Sequence, residues 1–202
     1  GSANDMAAIA GVPTALRAAC EAIKRGNTRR LDLGMVNGRY FDNNVGAGFE
    51  AQVTIESRKI KRLRGTLLYL IAVLRALAHY PSPTMRVVWD SGEVTRPLLM
   101  VSIGNGRRTG GGFFVTPDAV QDDGLFDLGI AMALPRLQIL KLLPKVMQGT
   151  HKNDPAIMLT RTTRVIVESD YPLPVHADGE VIFTDATRLE ISMQPLRLEM
   201  IV

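Results

Sequence analysis

Three dipeptides, Asn37-Gly38, Ser91-Gly92 and Asp178-Gly179, stand between apolar-rich runs, and they restrict the fold of this chain more than any other feature of it. Glycine accepts positive φ, so each pair can reverse the chain within two residues. A link that short joins antiparallel strands. The runs around the turns read as strands: "LDLGMV", "MRVVWD", "EVTRPLLMVSIGN", "FDLGIAM", "TRVIVESD", "LPVHADGEVIF" and "RLEISMQPLRLEMIV" give at least seven candidates. Gly46 and Gly48 mark a close backbone approach or an irregular turn.

Helical patterning is confined to two or three stretches. The opening "NDMAAIAGVPTALRAACEAIKRGN" has Asn4 or Asp5 to cap a first turn, a second start near Thr14 after Pro13, and Gly26 as its stop. Residues 50–80 begin basic, with Arg58, Lys59, Lys61, Arg62 and Arg64, and end apolar. "PRLQILKLLPKVMQG" has apolar positions at helical spacing. The expected fold is therefore mainly β, of the α+β kind: an antiparallel β-sandwich with a few helices. The one boundary in the pattern lies near Gly26, which sets a helical piece, residues 1–26, apart from a sandwich over residues 27–202.

Composition narrows the class of protein. The 202 residues suffice for one domain with a good core, or for one domain and part of another. With 46% hydrophobic and 22% charged residues, disorder is not indicated. A net charge of +4 and an isoelectric point near 9.5 hint at an anionic partner: nucleic acid, nucleotide phosphate or an acidic membrane surface. The single cysteine, Cys20, excludes an internal disulfide or a multi-cysteine zinc site, and its alanine neighbours predict that it packs as a small hydrophobe. The first residues are small and polar, unlike a secretory leader. "TLLYLIAVL", residues 66–74, is far short of the roughly 20 apolar residues that span a bilayer.

Four segments carry candidate chemistry. In "PLPVHADGEVIF", Asp178-Gly179 reads as a hairpin corner, yet His176, Asp178 and Glu180 at spacing two would share one face of an extended chain. Both readings stand. "NGRRTGGGFFVTPDA" has three consecutive glycines, Gly110, Gly111 and Gly112, which either hug another backbone, leave room for a ligand or form a flexible connector; it is not a P-loop. "QDDGLFD" offers Asp122, Asp123 and Asp127, oxygen donors of the kind Mg²⁺ takes, or a solvated acidic turn. The basic run over residues 58–64 fits an anionic membrane surface or a solvated helix face. His79 and His151 show no metal-ligand spacing.

In order along the chain, "GSANDMA", "YFDNNVGAGFEA", "SIGNGRRTGGGFFVTPDA", "DDGLFDL", "GTH" and "HADGE" resemble the soluble diacylglycerol kinase-like lipid kinases. The resemblance covers essentially the whole chain. It implies a β-sandwich domain that follows a nucleotide-binding domain, most of which, with its phosphate-contacting Gly-Gly-Asp-Gly-Thr segment, is not in this sequence, so activity of these 202 residues alone is not expected. It further implies a kinase that uses ATP and Mg²⁺ on a lipid hydroxyl, with diacylglycerol the leading acceptor.

Carried over by position, the resemblance makes Asp178 the general base, with Glu180 beside it. Asn4, Asp5, Gly110, Gly111 and Gly112 fall on the cofactor side; Asp5 joins a network around the catalytic Mg²⁺, and Asp123 with the carbonyl of Leu125 forms a structural cation site. His176 has no role carried over. The expected partners are a lipid substrate at a membrane surface and the protein's own nucleotide-binding domain, with no nucleic acid and with a homodimer left open. The expected location is cytoplasmic, peripheral to the inner membrane face. The alternatives are a non-catalytic sandwich module that binds lipid or an anionic membrane, and a kinase of a sphingoid base or of NAD.

Overall fold

The structure, a computed structural model, describes residues 5–60, 63 and 65–202. Asn4, Lys61, Arg62 and Arg64 lie outside the described residues. In chain order the elements are α1 (Asp5–Ala10), α2 (Leu16–Arg25), β1 (Thr28–Val36), β2 (Arg39–Phe41), β3 (Asn44–Gly48), α3 (Phe49–Arg58), α4 (Gly65–His79), β4 (Thr84–Trp89), β5 (Gly92–Gly104), β6 (Phe126–Met132), α5 (Arg136–Gln148), β7 (Ile157–Thr162), β8 (Arg164–Ala177) and β9 (Glu180–Ile201).

Every pairing of these strands is antiparallel. Hydrogen bonding runs in the order β2-β1-β9-β8-β3-β5-β6-β7, and β4 pairs with β5 and β8. The long strands β5 and β8 flank a gap that two shorter strands fill in succession. At one end β4 pairs with residues 92–97 and 165–169; at the other β3 pairs with residues 100–104 and 175–177. Phe41 of β2 and Phe126 of β6, near opposite ends of the strand order, stack with ring centroids 5.7 Å apart. The sheet thus folds over on itself, and the expected mainly-β sandwich is what forms. Its core is built from the alternate residues Val45 and Ala47, Val165 and Val167, Val175 and Ala177, and Leu189 and Ile191.

The other face of β3 and the second half of β5 are covered by α3, α4 and α5, which close a second apolar cluster containing Phe49, Val53, Ala72, Val73, Leu99 and Ile139. Gly48 makes this layer reachable. Its φ of 89° and ψ of −128° suit only glycine, and a side chain there would meet the Tyr80 hydroxyl at 2.6 Å. The chain therefore turns from β3 into α3 with no loop, and Phe49 and Glu50 fold back over β3.

Two expectations need correction. Five α-helices stand among the described residues rather than two or three, because the first and second helical stretches each break in two; Gly26 ends the first as expected, at φ 69°. Cys20 is exposed. Helix α2 lies on the surface and buries only Ala22, so alanine neighbours on both sides of the cysteine do not bring it inside.

Candidate functional site

Strand β8 ends at Ala177, and Asp178 and Gly179 take φ of 51° and 79° before β9 begins at Glu180. The corner reading of "HADGE" is thus realised. At the same corner the Asp178 carboxylate is held by a row of backbone donors. The N–H of Asp42 donates to Oδ2 at 3.0 Å, and those of Asn43 and Asn44 donate to Oδ1 at 3.0 and 2.9 Å. The Asp178 N–H in turn donates to the Asn44 carbonyl at 2.9 Å. Arg58 ties the turn to the end of α3 through the Gly179 carbonyl at 3.3 Å. Glu180 is exposed and begins β9.

Asp42 is a site residue that sequence reasoning missed. Its carboxyl is pushed up to about 6, first by burial and then by the charge of Asp178 and a hydrogen bond to it. No local pattern marks Asp42, because its significance comes from a residue 136 positions away.

Register places Gly46 opposite His176, so Asn44, Gly46 and His176 share the helix-covered face of the sheet while Val45 and Ala177 face the sandwich core, and Asp178 lies in the exposed turn beyond the strand. His176 is 1% exposed and its Nε2 lies 3.2 Å from Oε1 of Glu50, itself 4% exposed. Asn44 donates from Nδ2 to the same Oε1 at 3.0 Å. Oε2 of Glu50 is buried and without a hydrogen-bond partner. Glu50 sits at the edge of a cavity of about 80 Å³ between the helices and the sheet, lined mostly by apolar side chains such as Phe49, Val73, Leu99, Ile139 and Leu142, together with Tyr69 and His151. Burial and then the charge of Glu50 raise the Tyr69 hydroxyl well above the usual phenol range. Burial also holds His151 below its ordinary value.

Asp5 lies in the same neighbourhood as Asp178. The Asn43 side chain donates to the Arg108 carbonyl at 3.0 Å, and Arg108 Nε lies 3.0 Å from Asp5 Oδ1. Asp5 Oδ2 accepts the Gly111 N–H at 2.9 Å, which is one concrete use of the glycine run. Oδ1 of Asp5 is buried against the Arg108 guanidinium, so a cation at Asp5 has to displace that positive charge. A second pocket, of about 360 Å³, opens beside α1 and is lined by Arg29, Arg107 and Arg108.

Asp123 stands apart from this group. Its Oδ1 accepts the Leu125 N–H at 3.1 Å, and Arg161 of β7 holds Oδ2. Asp122 pairs with Arg29 at 2.8 Å. Among the described residues no group of three His, Cys, Asp or Glu side chains is arranged to hold a metal. Arg161 already supplies positive charge at Asp123, so a cation there has to displace it.

Residues 43–202 fit the model of the YegS C-terminal NAD kinase beta sandwich-like domain. The chain belongs to the diacylglycerol/lipid kinase family, of which it carries the C-terminal domain. It is 31% identical over its whole length to a diacylglycerol kinase of Mycobacterium tuberculosis, and it spans 66% of that protein. Over 93% of its length it is 34% identical to a protein of Chromohalobacter salexigens named a probable lipid kinase YegS-like, of which it spans 61%. A crystal structure from Bacillus anthracis described as a diacylglycerol kinase shares the fold, with a TM-score of 0.70 at 18% identity over the whole chain and 64% of that structure.

Proposed function

We propose that this chain is the acceptor-side domain of an ATP- and Mg²⁺-dependent kinase that phosphorylates a lipid hydroxyl, with diacylglycerol the first acceptor to test. The observation that carries the reading is the position of Asp178: an exposed corner carboxylate fixed by three backbone N–H groups, beside Asn44, whose side chain reaches Glu50 in the lining of an apolar cavity. The hydroxyl lies at the carboxylate and the hydrocarbon in the cavity. Asp178 accepts the hydroxyl proton as the oxygen bonds to the γ-phosphorus and ADP leaves; Asp42 beside it, with a carboxyl that titrates near 6, shares that proton. Phosphoryl transfer depends on positioning and charge neutralisation, and Mg²⁺, when bound, would supply the neutralisation. Asp5 and the Gly111 backbone are the residues for that side, and the pocket lined by Arg29, Arg107 and Arg108 supports an anionic ligand near them. Glu180 and Asp123 with Leu125 keep lesser roles, beside the acceptor and at a structural cation.

Helix α4 supports work at a membrane surface. Leu67, Leu70 and Leu74, three and four residues apart, form one exposed stripe, while Ala72, Val73 and Ala76 are buried behind it. Arg58 and Lys59 lie just before it. No helix among the described residues is long and apolar enough to cross a membrane, and the fit is peripheral, at the inner face. If no lipid is phosphorylated, this stripe favours the second reading, a non-catalytic module that binds the bilayer.

The test uses the full-length protein with γ-labelled ATP and a panel of diacylglycerol, a sphingoid base and NAD. Label is expected in a lipid acceptor, and Asp178→Asn is expected to abolish it while the circular dichroism spectrum is kept. Full activity of that variant would overturn the assignment of the base.

A further inference from the structure

We propose that the arginine-lined pocket beside α1 binds a small phosphate monoester with a free hydroxyl, and holds it alongside the nucleotide. Arg107 and Arg108 take the phosphate, and Gln121 takes the hydroxyl. The site stands on its own residues, whatever acceptor the kinase uses.

At about 360 Å³ the pocket is at the small end of ligand sites, with room for more than a bare phosphate. Each of its arginines is anchored on one side. Arg107 donates from Nε to the Ala119 carbonyl at 3.1 Å, and Arg108 Nε lies 3.0 Å from Asp5 Oδ1. Arg29 donates to Asp122 Oδ2 from Nε at 3.2 Å and from Nη2 at 2.8 Å. None of these contacts uses the terminal nitrogens of Arg107 or Arg108, the pair that a guanidinium offers end-on to a phosphate. Arg29 and Arg108 are already balanced by Asp122 and Asp5, whereas Arg107 forms no ion pair among the described residues. Its positive charge is left for a ligand.

Gln121 supplies the second, independent observation. It belongs to the lining and is only 3% exposed. Its Nε2 donates to Met6 Sδ at 3.1 Å, while Oε1 is buried with no hydrogen-bond partner among the described residues. A buried acceptor without a donor is costly, and a ligand hydroxyl that donates to it recovers that cost on binding. A phosphate dianion offers only acceptors and leaves Oε1 unpaired. Ile9, Phe114 and Val120, also in the lining, pack against a short carbon skeleton between the two polar ends. Asp5, Gly111 and Asp178 are not among the walls, so the ester and the reacting phosphate of the nucleotide take different places.

The experiment titrates the full-length protein, in the presence of a saturating non-hydrolysable ATP analogue, with glycerol 3-phosphate, propyl phosphate and inorganic phosphate in a calorimeter. Glycerol 3-phosphate is expected to bind about tenfold or more tightly than the other two, because it alone carries a hydroxyl on a carbon skeleton. Arg107→Gln should weaken all three about tenfold, and Gln121→Leu should bring glycerol 3-phosphate and propyl phosphate close to equal. A second arm identifies the source of the ester. Displacement of glycerol 3-phosphate by phosphatidylcholine vesicles carrying 1-acylglycerol phosphate, but not by plain ones, assigns a lipid headgroup; no displacement by either assigns a free ester, and both results support the site. Equal binding of the three probes to the unmodified protein, or none, overturns the proposal even if the variants do not fold. So does binding that disappears when the ATP analogue is added, since the pocket is then the nucleotide's own.

Discussion

Asp178 accepts the backbone N–H of Asp42 at 3.0 Å, and its charge, after burial, is the second cause that raises the Asp42 carboxyl to about 6. In an unfolded chain Asp42 titrates near 3.9. A group whose folded value is raised contributes stability that is fully present below the unfolded value and is lost as pH rises through the folded one. The protein is therefore expected to lose stability between about pH 4 and pH 7 on account of Asp42. Asp42→Asn should melt higher than the parent above pH 7, by about 1–2 kcal/mol once solvent screening is allowed for, and equal it at pH 4. Thermal melts across that range check the sign; a variant less stable than its parent at pH 8 contradicts it.

Gly46 faces the buried pair of His176 and Glu50, and a methyl group there would stand 2.5 Å from His176 Nε2 and 2.6 Å from Glu50 Oε2. Gly46→Ala is expected to cost about 1–3 kcal/mol in denaturant unfolding, the range for overpacking a filled interior. The same change at Gly112, where nothing lies within 4 Å, should cost far less.

The leucine stripe of α4 gives a surface prediction. Replacing Leu67, Leu70 and Leu74 by serine removes apolar area that is already exposed, so the melting temperature should scarcely move. Sedimentation with vesicles rich in anionic lipid should fall at least tenfold, since each leucine that enters the bilayer boundary contributes on the order of 1 kcal/mol or more. Binding that survives the triple change would remove α4 from the membrane face.

At Asp123 the guanidinium of Arg161 stands where a cation would act. Arg161→Gln should make thermal stability rise with Mg²⁺ in the millimolar range, and adding Asp123→Asn should cancel that rise. The absence of any Mg²⁺ effect in Arg161→Gln would withdraw Asp123 and Leu125 as a cation site.

The features legible in the sequence are those whose cause is local. Asn37-Gly38 and Asp178-Gly179 turn where expected, because positive φ is a property of the residue itself, and "FDLGIAM" is β6 to the residue. The break between α3 and α4 was not legible, because the basic run over residues 58–64 reads equally well as the solvated face of one continuous helix. Asp42 and Glu50 were invisible for a different reason. Each acquires its character from β8, more than 120 positions onward: Asp42 from Asp178 beyond its end, and Glu50 from His176 within it. Sequence spacing also suggested that His176 and Asp178 might act together. They do not: the strand ends between them, and the histidine turns inward to Glu50 while the aspartate holds the exposed corner.

The positive φ of Asp178 sets a rule for what this position can become. At 51° the backbone admits glycine, asparagine and aspartate readily and most other side chains poorly. Glycine would keep the bend and discard the acceptor for three N–H groups; glutamate would keep the charge and strain the bend. Asparagine alone preserves the shape while removing the charge. If Asp178 is the base proposed above, drift at this position is channelled toward a molecule that keeps the fold and loses phosphoryl transfer, so a natural relative with Asn-Gly at the corner would be a ready-made pseudoenzyme.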